Sequence, residues 1–136
     1  MEELTHEECV DLLGSHHFGR IAVHGHEGLA IFPVNYFWND GHVAIRTNPG
    51  TKLAAAAQSK VAFEIDGIDD EARTGWSVLV TGTGYEVTDS MDDVSAAMRA
   101  LPVETWAPGE PTSWLRVEPA SITGRRVRAD GDPAGD

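Results

Sequence analysis

With 136 residues, 41% of them hydrophobic and 24% charged, the chain has the size and composition of one domain with a core of its own. Its 22 acidic side chains against 10 basic ones leave a formal net charge of −12. That balance excludes the basic face nucleic acid requires, and it disfavours an anionic membrane surface for the same reason.

The opening "MEELTHEECV" lacks the basic start and apolar run of a signal peptide. No apolar stretch approaches the ~18–20 residues that span a bilayer, so a cytoplasmic protein is expected. "THEECVDLLGS" predicts a helix, with Thr5 as N-cap, Glu8 completing a capping box and Gly14 as the stop. Cys9, Leu12 and Leu13 fall on one face of it. Cys9, the only cysteine, reads as a small core residue, and no disulfide can form within the chain.

The texture then changes to short runs rich in Val, Ile, Phe and Tyr: "FGRIAVHG", "LAIFPVNYFW", "HVAIRT", "VAFEID" and "WSVLVTGTGYEVTD". Turn chemistry separates them, and "NDG" after Trp38 is a hairpin signal because those residues tolerate positive φ. Within "LAIFPVNYFW", Leu29, Ile31 and Phe37 point one way, and Ala30, Phe32, Val34, Tyr36 and Trp38 the other. A strand apolar on both faces belongs in a closed barrel or beneath a second layer such as a subunit partner. Pro33 cannot donate to a ladder, which predicts a bulge or an open edge there.

"SMDDVSAAMRAL" predicts a second helix capped by Ser90, and "PVETWAPGEPTS" a loop. "WLRVEPASITGRRVR" is the last strand with an irregular extension. The expected fold is mainly β: a barrel of six strands with two or three peripheral helices over residues 1–127. A short polar tail follows over 128–136, expected to be disordered.

The stretch "RTNPGTKLAAAA" stands out. A strand ends near Arg46–Thr47, Asn48 is a good N-cap, and Pro49 fits the first helical position. Thr51 and Lys52 fall in the first turn, where acidic residues are preferred because the helix N-terminus is already positive. Backbone N–H groups, hydroxyls and two cations at one point are what a phosphate needs. The plain alternative pairs Arg46 with one of the many acidic side chains and leaves Lys52 solvated. The glycine spacing is not that of a Walker loop.

Other candidates are weaker. His24 and His26 would share a strand face, but no cysteine or carboxylate spacing completes a tetrahedral metal set, and no metal is expected. "GWSVL" lacks the last glycine of a nucleophile elbow, so Ser77 is not expected to be a nucleophile. Trp76 and Trp114 suit either a planar ligand or ordinary burial. Asp69–Asp70–Glu71 reads as a solvated loop. No general acid or base can be assigned, and the catalytic residues are unknown.

In their order and spacing, "LLGSHHFGRIAV", "FPVNYFW", "RTNPGTKLAAAA", "VAFEID", "GWSVLVTGTGYEVTD" and "WLRVEPASITGRRV" resemble the pyridoxamine 5′-phosphate oxidase-like, flavin-binding split-barrel family. The likeness covers about residues 5–127 and is greatest to short single-domain actinobacterial-type members. It implies a six-stranded split barrel, a homodimer with FMN at the subunit interface, and a flavin-dependent oxidoreductase acting on a small molecule. The phosphate would be held by residues matching Arg46, Thr47 and Lys52, with Asn48 and Thr51 beside them. The flavin ring would lie on the backbone of the strand matching Phe32, Pro33, Val34, Asn35 and Tyr36, and the partner subunit would add residues at Trp76, Ser77 and Trp114. The ending "SITGRRVRADGDPAGD" departs from the substrate-gripping segment of true pyridoxamine phosphate oxidases, so vitamin B6 oxidation is not expected. Related split barrels use a deazaflavin coenzyme or haem, and some hold no flavin; the alternative expectation for this chain is a deazaflavin-dependent reductase, or a non-enzymatic flavin carrier or sensor, on the same scaffold.

Overall fold

The computed structural model describes residues 2–25, 27–47, 53, 58–87 and 113–128. The capping box forms as its residues predict. Thr5 Oγ1 accepts from the Glu8 N–H at 3.1 Å and the Thr5 N–H donates to Glu8 Oε1 at 2.8 Å. Helix α1 spans His6–Ser15, so Gly14 lies within it and the stop is one residue later. The Ser15 hydroxyl donates to the Leu12 carbonyl, and His16 Nδ1 lies 2.9 Å from the same oxygen, so side chains rather than a glycine turn end the helix.

The strands are β1 (Glu2–Glu3), β2 (Phe18–Gly25), β3 (Gly28–Asn35), β4 (Phe37–Asn39), β5 (His42–Thr47), β6 (Lys60–Asp69), β7 (Thr74–Val87) and β8 (Ser113–Arg128). They form one antiparallel sheet in the order β3-β2-β6-β7-β8-β5-β4, with β1 paired to β8. The described residues therefore hold eight strands where six were expected. The added ones are the short β1 and the division of "LAIFPVNYFW" at Tyr36.

That division has a physical cause. The Tyr36 N–H donates to the His17 carbonyl at 2.9 Å, and its hydroxyl donates to the Leu13 carbonyl at 2.7 Å. Tyr36 is fully buried against Phe63, and burial raises its phenol pKa far above the ordinary value. Anchored there, the chain leaves β2 and starts to pair with β5. The two ends of the sheet are thus joined covalently through Tyr36, and β3 keeps an open outer edge among the described residues. Pro33 lies on that edge strand in unbroken register with Arg20, so the open edge applies and not the bulge.

The Asp40–Gly41 loop closes the β4–β5 hairpin with positive φ at both residues, 50° and 82°, as a tight two-residue turn demands. A register shift opposite Gly82 bends β7 against β8; a Cβ at Gly82 would collide with the Glu118 carbonyl. Ile21, Val23, Tyr36, Val43, Ile45, Phe63, Ile65, Val78, Val80, Leu115 and Val117 fill the interior. Helix α1 closes one end of it, bringing buried Cys9 and Leu4 onto Gly124 of β8, where a Cβ would meet Cys9 Sγ at 2.7 Å. Burial raises the Cys9 thiol pKa, which suits a packed core residue.

The alternation within "LAIFPVN" places Phe32 and Val34 inward. Its other face, with Leu29 83% and Ile31 68% exposed, is open and not buried. Leu53 is helical and packs on the core. The expected helix after Ser90 and the loop before Ser113 lie outside the described residues, as do 129–136. β8 runs to Arg128, one residue past the expected domain boundary.

Candidate functional site

On β5, Val43 and Ile45 face the interior opposite Val117 and Leu115 of β8, all of them at most 1% exposed. His42, Ala44 and Arg46 therefore face outward. Three cross-strand rows result. His42 Nε2 meets Glu118 Oε2 at 2.7 Å; Ala44 pairs with Arg116, which pairs with Tyr85; Arg46 pairs with Trp114, which pairs with Val87. Phe37 of β4 extends the middle row on the other side of Ala44.

Although it faces away from the interior, this patch is not bare: Ala44 is fully buried and Trp114 is 3% exposed. Its cations are unusual for so acidic a chain. Arg46 is half-buried and has no ion-pair partner among the described residues. The Arg116 guanidinium carbon lies 5.8 Å from the Tyr85 ring centroid, within cation–π range, and its buried Nε has no hydrogen-bond partner among the described residues. Arg20, on the same outer surface, is different. It lies 2.9 Å from Glu64 and 2.8 Å from Asp66, and the hydrogen bond to Glu64 holds its guanidinium even more firmly protonated.

Arg46 and Thr47 end β5 as expected. Asn48, Thr51 and Lys52 lie outside the described residues. Continuing the β4–β5 register past Phe37 and Ala44 brings Tyr36 level with Ile45 and Asn35 level with Arg46, and β3 touches β5. The backbone of 34–36 and the end of β5 are thus neighbours. What Tyr36 and Val34 can offer a ligand is main chain only, because both side chains are buried in the core. Phe32 packs against that core, Pro33 is exposed and Asn35 is half-buried.

The remaining three candidates separate. Trp114 is the cross-strand partner of Arg46 in the same chain, so no second subunit is required to bring it there. Trp76 packs on the core, stands edge-on to His16 at 4.9 Å and occupies the space above Gly67, so ordinary burial accounts for it. Ser77 faces outward beside Asp66 and Arg125. Along β7, Ser77 lies ten residues from Val87, at the end of the strand that α1 covers.

Sequence reasoning missed Arg116 and Tyr85. The alternation in "WLRVEP" shows Arg116 facing opposite to Leu115 and Val117. That β8 lies between β5 and β7, beside Arg46, is a tertiary fact with no local signal.

A family model for pyridoxamine 5′-phosphate oxidase matches residues 5–126. The chain belongs to that family. The chain is 37% identical over 134 residues to the uncharacterized protein Rv0080 of Mycobacterium tuberculosis, covering 94% of this chain and 86% of that one. Its fold is similar to that of an FAD-binding protein from Mycobacterium smegmatis, with a TM-score of 0.79, 39% identity and coverage of 93% and 99%. It is likewise similar to a putative pyridoxamine 5′-phosphate oxidase from Corynebacterium glutamicum, with a TM-score of 0.73, 31% identity and coverage of 91% and 90%. The curled sheet with α1 over one end is the family's split barrel. No helix among the described residues is long and apolar enough to cross a membrane.

Proposed function

We propose that this chain binds a flavin nucleotide beside the C-terminal end of β5 and works as a flavin-dependent oxidoreductase on a small molecule. The observation that carries the reading is Arg46: a half-buried cation at a strand end, without a carboxylate partner among the described residues of a chain with net charge −12. A phosphate satisfies it, together with Thr47 and the Asn48, Thr51 and Lys52 that follow. The flavin ring then lies along the main chain of Phe32 to Tyr36. The unpartnered Arg116 Nε beside Arg46 fits an anionic ligand, and the M. smegmatis relative is named for FAD. FMN is the smallest ligand with both required parts.

The assembly in this reading is a homodimer. In this reading Ser77 of a second copy contributes to the ligand site, as the family resemblance implies. When bound, the flavin supplies hydride or electron transfer; the protein holds the phosphate, orients the ring and controls access. Oxidation of pyridoxamine phosphate is not part of this reading. The stretch "SITGRRVR" departs from the family's substrate-gripping segment, and Arg126 is paired with Glu2 at 3.2 Å.

Purified protein is assayed for released flavin, then mixed with NADPH under anaerobic conditions. Near-stoichiometric FMN or FAD that NADPH bleaches supports a flavin oxidoreductase. Bound flavin that no nicotinamide donor reduces indicates a carrier or sensor. Protein that ignores both flavins but takes up a deazaflavin coenzyme overturns the flavin assignment.

A further inference from the structure

We infer that Arg116 is a second phosphate anchor, acting beside Arg46 and held in place by Tyr85; this rests on the flavin-nucleotide reading above. Arg116 sits one strand over and diagonal to Arg46, because Ala44 is its direct partner and Arg46 lies two residues along on the same face. Diagonal neighbours of this kind have Cα atoms roughly 7–8 Å apart, within reach of two long side chains converging on one anion.

Three observations converge on that role. The guanidinium lies 5.8 Å from the Tyr85 ring centroid, and a ring face attracts the cation without using any N–H donor. Its Nε is buried and lacks an acceptor among the described residues, a cost that a bound oxyanion removes. Finally, the nearest carboxylate along β8, Glu118, is already engaged with His42 at 2.7 Å. Arg20 shows what a structural arginine does on this surface: it takes two carboxylates at once. Arg116 takes none among the described residues.

The recognised chemistry is a phosphate group, either the monophosphate of FMN or the diphosphate of FAD. An arginine fork suits both, and the two are separated by titration. Riboflavin carries the ring without phosphate and serves as the internal control.

Affinities for riboflavin, FMN and FAD are measured on flavin-free protein by flavin fluorescence, for the parent, Arg116→Met and Arg116→Lys. Thermal stability is followed with and without inorganic pyrophosphate. The expected result is a loss of about tenfold or more for a phosphorylated flavin in Arg116→Met, the weight of one charge-assisted hydrogen bond. Arg116→Lys should keep part of the affinity, and riboflavin binding should not change. A larger loss for FAD than for FMN assigns Arg116 to the second phosphate; equal losses assign it to the shared one. Unchanged FMN and FAD affinity in Arg116→Met overturns the inference, as does an equal loss for riboflavin, which marks a structural effect. If the parent binds no flavin yet pyrophosphate stabilises it and not Arg116→Met, the flavin reading fails and the anchor stands. If pyrophosphate stabilises neither, both fail.

Discussion

The two ends of the long β7–β8 ribbon differ in how completely their polar groups are satisfied. At the Trp76 end, α1 closes the barrel. Leu4 N–H donates to the Gly124 carbonyl at 2.9 Å, Cys9 packs on the same glycine, and Arg126 pairs with Glu2. At the Tyr85 end, Arg46 and Arg116 stand diagonally adjacent without carboxylate partners among the described residues, and a buried Nε has no acceptor there. A fold that satisfies polar groups at one end and leaves cations unmatched at the other separates packing from binding. The first end should respond to mutation through stability, and the second through ligand affinity.

The largest effect is expected in the interior between them. Phe63 is fully buried against Tyr36, so Phe63→Ala should cost about 3–5 kcal/mol by denaturant unfolding. Phosphorylated-flavin affinity of the molecules that remain folded should not change; a matching loss would break the separation. At the α1 end, Tyr36→Phe leaves the Leu13 carbonyl without its 2.7 Å donor in a buried position. About 1–3 kcal/mol should be lost, again without changing flavin affinity if only the Tyr36 main chain faces the ligand.

Thr5→Ala should cost about 1 kcal/mol through the lost cap. The smallest effect concerns the same cap and depends on pH. Hydrogen bonding by the Thr5 backbone N–H, then by its hydroxyl, holds the Glu8 carboxyl below its ordinary 4.5. A depressed folded value means stabilisation that is present above the ordinary value and lost as pH falls through the lowered one. The Tm difference between the parent and Glu8→Gln should therefore be constant near neutrality and vanish in acid. A difference that persisted at low pH would show that the charge of Glu8 is not its cause.

What was legible in the sequence was local. The Thr5–Glu8 capping box, the Asp40–Gly41 turn and the alternation that sends Val43 and Ile45 inward each depend on a few neighbouring residues. The break at Tyr36 was not legible, because it comes from hydrogen bonds to Leu13 and His17 made across the fold. Trp76 and Trp114 had identical local signals. Only tertiary placement set one on the core beside His16 and the other beside Arg46. Arg116 escaped for the same reason: its character comes from which strands flank β8.

The central claim is that the end of β5 holds a flavin's phosphate. It is tested most directly by titrating FMN and riboflavin into flavin-free parent, Arg46→Ala and Lys52→Glu proteins. FMN affinity should fall about tenfold or more in Arg46→Ala and be abolished in Lys52→Glu, with riboflavin affinity and Tm unchanged. Variants that bind FMN as tightly as the parent would contradict the claim.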